Sequence, residues 1–293
     1  MNKWRIKDNS FCESLIYGDP EYVNAFSSFV MLFFGIFLLF LTKCNNALIR
    51  IISASIAITG IGSFAFHWTL WTSTGLLDTV PMLVASYTAS YLTMDLILYK
   101  YVKIDKKEIR TYEICSNMLA LIVLCGLYPA IMITGIDGSN GVSFDILFAI
   151  PNVIIIFATL FMRFYTFENY YHNKENNDLF GDVKRSFVSV SVGLSSAAVA
   201  AILWFVTELN CDEYDWMKYT YAHGLWHIGM SYGYYQLMVF FIYMNALIRG
   251  KEPYYKVGNT KYKKYFYYCF PVVDCKHQIE MRELETIKDS VNV

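Results

Sequence analysis

Three of the five histidines stand in long stretches that contain no Asp, Glu, Lys or Arg: His67 in 51–77, and His223 and His227 in 219–248. A titratable side chain inside such an apolar run is expensive, so each is a functional candidate by default. His172 and His277 fall in polar segments and read as solvated. His223 and His227 are four residues apart and share a helix face. Ser63 lies one helical turn before His67, and Asp78 follows at the edge of the same uncharged run. Three neutral imidazoles with an open fourth position are the ligand set of a catalytic zinc site. Zinc there brings a bound water to a pKa of about 7, and a neighbouring carboxylate can orient that water and carry its proton. The same residues would also serve as interhelical hydrogen-bond partners, so the two readings separate only on whether the side chains meet.

Whether they meet depends on the elements that carry them. The chain has 293 residues, 56% of them apolar and 17% charged. That is too little charge for a water-exposed surface and too much apolar content for disorder. Uncharged stretches run 22–42, 51–77, 79–94, 114–136, 146–162, 186–207 and 219–248. A bilayer core takes about 20 apolar residues of helix. The fold class expected is all-α: a polytopic membrane protein with a seven-transmembrane helix bundle. The expected divisions are an N-terminal segment 1–23, a membrane domain 24–248 and a C-terminal tail 249–293. No cleavable signal is expected, because some twenty polar residues precede the first span.

The connections fix the orientation. Twenty of the 24 Lys and Arg fall in loops 1–2, 3–4 and 5–6 and in the tail, which alternation puts on one side. The positive-inside rule makes that side cytosolic and the N-terminus lumenal or extracellular. Helix 2 then runs outward, so His67, near its end, lies toward the lumenal face. Helices 3 and 7 start there, which brings Asp78, His223 and His227 to the same depth. The net charge of −1 offers no basic face to nucleic acid.

Other signals are weaker. Gly229-Met-Ser231-Tyr-Gly233 matches a nucleophile elbow by letter, but no strand precedes it. Gly60-Ile-Gly62 reads as close helix packing. Trp and Tyr near span ends read as interfacial anchors.

With these residues laid out, the sequence resembles the alkaline ceramidase family. That family sits within a wider superfamily of seven-helix membrane hydrolases that includes adiponectin-receptor-like and GPI-lipid-remodelling proteins. Gly60-Ile-Gly-Ser63-Phe-Ala-Phe-His67-Trp-Thr-Leu, with Leu76-Leu-Asp78-Thr-Val-Pro81-Met82, is similar to the family's G-x-G-S-x-x-F-H-x-T-L and L-L-D-E-x-P-M. His223-Gly-Leu-Trp-His227 is similar to its H-x-x-W-H, and Phe11-Cys12-Glu13 with Pro20-Glu-Tyr-Val-Asn24-Ala-Phe-Ser27-Ser28 to its C-E and P-x-N-x-x-S-N entry into helix 1. The resemblance implies zinc on His67, His223 and His227, with Asp78 and Ser63 as catalytic residues. It implies hydrolysis of the N-acyl amide of ceramide to sphingosine and a fatty acid, in the endoplasmic reticulum or Golgi membrane. It also implies a possible calcium site near the N-terminus, for which Glu13, Asp19 and Glu21 are the acids present. The family's D-W-C-E reads Ser10-Phe11-Cys12-Glu13 here, which removes one acid. Two alternatives stay open: the same zinc chemistry on another membrane lipid (an ester or a GPI lipid), and a seven-helix lipid-binding receptor with structural zinc.

Sorting the seven cysteines by this topology leaves only Cys12 and Cys211 in lumenal segments. The lumen is oxidising, so these two are expected to pair and to pin the N-terminal segment over the mouth of the site.

Overall fold

In a computed structural model of the protein, the residues described are 11–41, 47–98, 142–171, 177–248, 253–256, 267 and 269–275. Two short helices, α1 (Ser14–Tyr17) and α2 (Tyr22–Ser27), lead into the longer α3 (Phe29–Leu41), α4 (Ala47–Thr69) and α5 (Thr72–Ile97). Beyond residue 141 come α6 (Val142–Tyr171), α7 (Asn177–Glu208), a 3-10 turn (Asp215–Thr220) and α8 (Ala222–Ile248). Strands β1 (Pro253–Tyr255) and β2 (Val273–Cys275) form a small antiparallel pair.

The described chain is nearly all helical, as expected. Among the described residues, four stretches are long and apolar enough to cross a membrane: Tyr22–Phe40, Ala47–Thr69, Ile146–Phe164 and Asp182–Glu208. They coincide with the first, second, fifth and sixth expected spans. The third and seventh expected spans are α5 and α8, of 26 and 27 residues. Both are long enough but more polar, carrying Ser, Thr, Tyr, Asp, His and Gln among their apolar residues. The fourth expected span, 114–136, lies outside the described residues. Outward faces are apolar: Phe157, Ile202 and Phe205 are well exposed, which suits helices whose solvent is hydrocarbon.

The uncharged run 51–77 is not one span. Helix α4 stops at Thr69, Leu70 takes a left-handed backbone (φ 49°), and α5 starts at Thr72. Asp78 therefore stands in the second turn of α5 rather than at its head. An uncharged tight turn leaves no mark in a charge pattern, which is why the sequence concealed it.

Helix α8 is the axis of the bundle. From Tyr235 to Ala246 every residue is buried, so this stretch, with only Gln236 and Asn245 strongly polar, faces protein on all sides. It packs against α7 and α3, while α4 packs against α3 and α5. Leu38, Ile52, Leu92, Leu96, Phe240 and Phe241 fill the space between them. Part of the tail folds back on this core. Tyr235 Oη donates to Pro271 O (2.6 Å), Gln236 Nε2 donates to Cys269 O (2.9 Å), and Phe270 packs against Phe34. Carbonyls of non-helical backbone beside a membrane bundle need such partners, since lipid supplies none.

Glycine sets the approach of α4 to α5. A Cβ on Gly62 would lie 2.0 Å from Leu77 O and 2.8 Å from Asp78 N. Gly60 faces the backbone of Leu32 in α3 in the same way. The Gly60-Ile-Gly62 pair is thus a packing device on two sides, and Gly62 is what lets the Asp78 backbone sit against α4.

Candidate metal centre

Helix α4 brings Ser63 and His67 to one face, α5 brings Asp78, and the first two turns of α8 bring His223 and His227. The structure joins all five. His67, His223 and His227 are buried and offer ring nitrogens that all lie within 4.8 Å of one another. Their ring centroids are 4.8–5.2 Å apart. The three rings gather at one point, and each also bonds a residue of another segment, so the hydrogen bonds and the cluster are features of one arrangement.

Each ring is held from behind at Nδ1. His67 Nδ1 lies 2.7 Å from Glu21 Oε2, both side chains being wholly buried. Ser27 Oγ lies 2.8 Å from His227 Nδ1 and 3.0 Å from Asn24 O. A hydroxyl has one proton, so a Ser27 that donates to Asn24 O accepts from Nδ1–H, leaving Nε2 of His227 bare. At His223 the direction is reversed: Trp204 Nε1–H donates to Nδ1 at 3.0 Å, with Glu208 Oε1 at 3.8 Å from the same atom. Trp204 is therefore more than an interfacial anchor.

A chain of hydroxyls approaches from the other side. Ser28 Oγ donates to Ser63 Oγ (3.0 Å), and Ser63 hydrogen-bonds the Asp78 carboxylate. Two polar atoms at the centre are left without a protein partner: His67 Nε2 and Asp78 Oδ1, both buried. Native interiors rarely orphan such atoms, and each instance calls for an explanation. A divalent ion on the three imidazoles would satisfy His67 Nε2, and a water beside that ion would satisfy Asp78 Oδ1. The donor set, all imidazole with a neighbouring carboxylate, suits zinc better than a hard cation.

The N-terminal segment covers this end of the bundle. Cys12 and Cys211 form a disulfide across 199 residues of sequence, with Cα atoms 6.0 Å apart, as expected from the topology. It places Phe11 against His223 and His67, with ring centroids 4.1 and 5.2 Å away. Glu13 accepts from the Val23 and Asn24 N–H groups (2.6 and 2.8 Å) at the start of α2. Burial pushes the Glu13 carboxyl up, against the pull of those two donors. Burial would do the same to Glu21. There the His67 hydrogen bond, with the Ser14 hydroxyl and Phe11 N–H, holds the carboxyl below its ordinary value.

Of the three acids expected near a calcium ion, Glu13 and Glu21 are thus engaged by protein donors, and Asp19 is exposed. Among the described residues, the groups close enough to hold a metal are the three histidines and a Cys12–Glu208–Cys211 set whose thiols are already bridged. Ser231 is a helix residue, its hydroxyl donating to His227 O. The nucleophile-elbow reading therefore has no strand and no turn to rest on.

Sequence reasoning missed Trp204, met Phe11, Ser27 and Ser28 only as letters of the entry motif before helix 1, and took Glu21 only as a calcium candidate. Each acts through a histidine distant in sequence. Directly below the histidines, toward the middle of the bundle, is an apolar cavity lined by Met31, Ile56, Met82, Phe148, Trp226 and Tyr234.

The comparisons with known proteins fall on this same region. The family model described as Ceramidase matches residues 10–274. A Dictyostelium discoideum protein named as an alkaline ceramidase is 24% identical over 271 residues, covering 82% of this chain and 88% of its own. The Drosophila melanogaster protein named alkaline ceramidase is 24% identical over 234 residues, covering 76% and 71%. The chain belongs to the ceramidase family.

Proposed function

We propose that this member of the ceramidase family is a membrane-embedded amidohydrolase that cleaves the N-acyl amide of ceramide, using zinc on His67, His223 and His227. The observation that carries the reading is the pair of buried, unpartnered atoms, His67 Nε2 and Asp78 Oδ1, at the centre of the three-histidine cluster. Zinc so held supplies a water acidified to near neutrality and a Lewis acid for the scissile carbonyl. The remaining tasks fall to the chain.

Asp78 has one oxygen engaged through Ser63 and one open. The open oxygen takes the proton that the attacking water loses and returns it to the nitrogen as the C–N bond breaks, so that sphingosine leaves as an amine. Ser63 gives its single proton to the Asp78 carboxylate at rest and turns that hydroxyl from Asp78 to the oxygen on which negative charge develops. Phe11 and the disulfide-pinned segment keep bulk water off the cluster from the lumenal side. The apolar cavity beside Trp226 and Met82 takes an alkyl chain, so the amide reaches the cluster while its tail stays in a lipid-like surrounding. A lysine- and arginine-rich cytosolic side puts this end of the bundle in the lumen. The site then lies beneath its cover at the lumenal end of the bundle, in the membrane of the endoplasmic reticulum or Golgi.

The test is metal analysis of purified wild-type and His67→Ala protein with a panel of ceramides, lysolipids and GPI-lipid precursors. Near-stoichiometric zinc and ceramide turnover are expected in the wild type, and both should be lost in His67→Ala. Turnover of an ester or a GPI lipid in place of ceramide would reassign the substrate. Bound zinc with no turnover on any lipid would point to a receptor with structural zinc.

A further inference from the structure

Of the three imidazoles, His67 alone has a carboxylate at hydrogen-bond distance on Nδ1. Glu21 Oε2 sits 2.7 Å from that nitrogen, and its partner oxygen Oε1 accepts from Phe11 N–H (2.8 Å) and Ser14 Oγ–H (2.6 Å). Asn24 Nδ2 adds a contact to Oε2 at 3.2 Å. The Glu21 backbone is tied to the same residue, its N–H donating to His67 O at 3.0 Å. Glu21 is wholly buried. A buried carboxylate is retained where several donors compensate its desolvation, and here every donor comes from the N-terminal segment, α2 or His67 itself.

We infer that Glu21 is a positioning residue of the metal centre, holding His67 as the tautomer with Nδ1 protonated and Nε2 bare toward His223 and His227. This rests on the three-histidine metal reading above. An acceptor-only carboxylate at Nδ1 requires the proton there, because two lone-pair bearers cannot share a hydrogen bond without one. The proton on Nδ1 strips Nε2, and that nitrogen is the buried atom left without a partner. Carboxylate–histidine–metal triads of this kind fix ring orientation and raise ligand basicity, and losing the outer partner typically costs about 10–100-fold in metal affinity. Glu21 also links the metal ligand to Phe11 and Ser14, so the segment anchored at Cys12 is part of the support of His67.

Glu21→Gln removes this acceptor with little change in size. The amide can keep its oxygen toward Phe11 N–H only by turning its NH2 toward His67, which then must protonate at Nε2. The zinc dissociation constant, measured by competition with a chromophoric chelator on the purified full-length protein, is expected to rise about 10–100-fold in Glu21→Gln. Glu21→Asp, an acceptor one methylene short, should fall between the two. The visible spectrum of the cobalt-substituted protein should shift in both variants, and ceramide turnover should recover to within a few-fold at saturating zinc. A carboxylate that only braced the N-terminal segment would lower the melting temperature of the zinc-free protein without moving the zinc constant or the cobalt spectrum. That result overturns the inference while leaving the metal centre standing. Should Glu21→Gln fail to fold, Glu21→Asp decides alone: wild-type zinc affinity in that variant is the overturning outcome. A wild-type protein that binds no zinc overturns this inference together with the reading it rests on.

Discussion

Gly62→Ala is the substitution whose consequence can be worked most directly from the geometry. The added Cβ would lie 2.0 Å from Leu77 O, 2.3 Å from Leu77 C and 2.8 Å from Asp78 N. Carbon prefers about 3.5–4.0 Å from its neighbours, so α4 and α5 must part locally by roughly 1.5 Å. The obstacle is backbone, not the flexible end of a side chain, so no rotamer change relieves it. Overpacking of this kind costs about 1–3 kcal/mol, which lowers the melting temperature without abolishing the fold. The functional effect is larger, because the backbone pushed away carries Asp78. A misplacement of about 1 Å is worth about a 100-fold loss in rate. The three imidazoles ride on α4 and α8, so zinc content should stay near wild type while kcat on ceramide falls about 100-fold. Asp78→Asn alone should cost about 10²–10⁴-fold as a lost proton carrier. Adding Gly62→Ala to Asp78→Asn should then cost little more, since both act through one group. Gly224→Ala is the comparison: its nearest neighbours are the Val23 and Ser27 side chains at 3.1 and 3.3 Å, which can yield. Full turnover in Gly62→Ala, or losses that multiply in the double variant, would refute the placement of Asp78 by helix approach.

Two further outcomes follow from the N-terminal cover. Cys211→Ser, or reduction of the Cys12–Cys211 bridge, should lower stability by at most about 5 kcal/mol for a loop of this length, since membrane helices already restrain the unfolded chain. Non-reducing peptide mapping should recover the bridged pair, and a freely alkylatable Cys12 in active protein would contradict it. Calcium titration of chelator-treated protein should leave ceramide turnover unchanged, because Glu13 and Glu21 already serve protein donors. Strong activation by calcium would show that these carboxylates rearrange to bind it.

Much of this protein is legible in its sequence. Charges are so costly in lipid that uncharged runs mark where helices run, and alternation of those helices brings His67, His223 and His227 to one end of the bundle, where they meet. The same alternation sets Cys12 and Cys211 apart from the other cysteines, and these two are bridged. A turn made of apolar residues is another matter. The left-handed Leu70 lies inside an uninterrupted apolar run, and only the folded backbone shows that α4 ends before it and that Asp78 belongs to the second turn of α5. The partners behind the imidazoles were equally hidden. Glu21 meets His67 across 46 residues and Ser27 meets His227 across 200, and no spacing rule reaches such distances. Sequence determined the depth of each functional group, because burial in a membrane is a one-dimensional constraint written along the chain. Which atom faces which was decided only by packing, where Gly62 lets two helices touch and the disulfide folds the N-terminus back over the cluster.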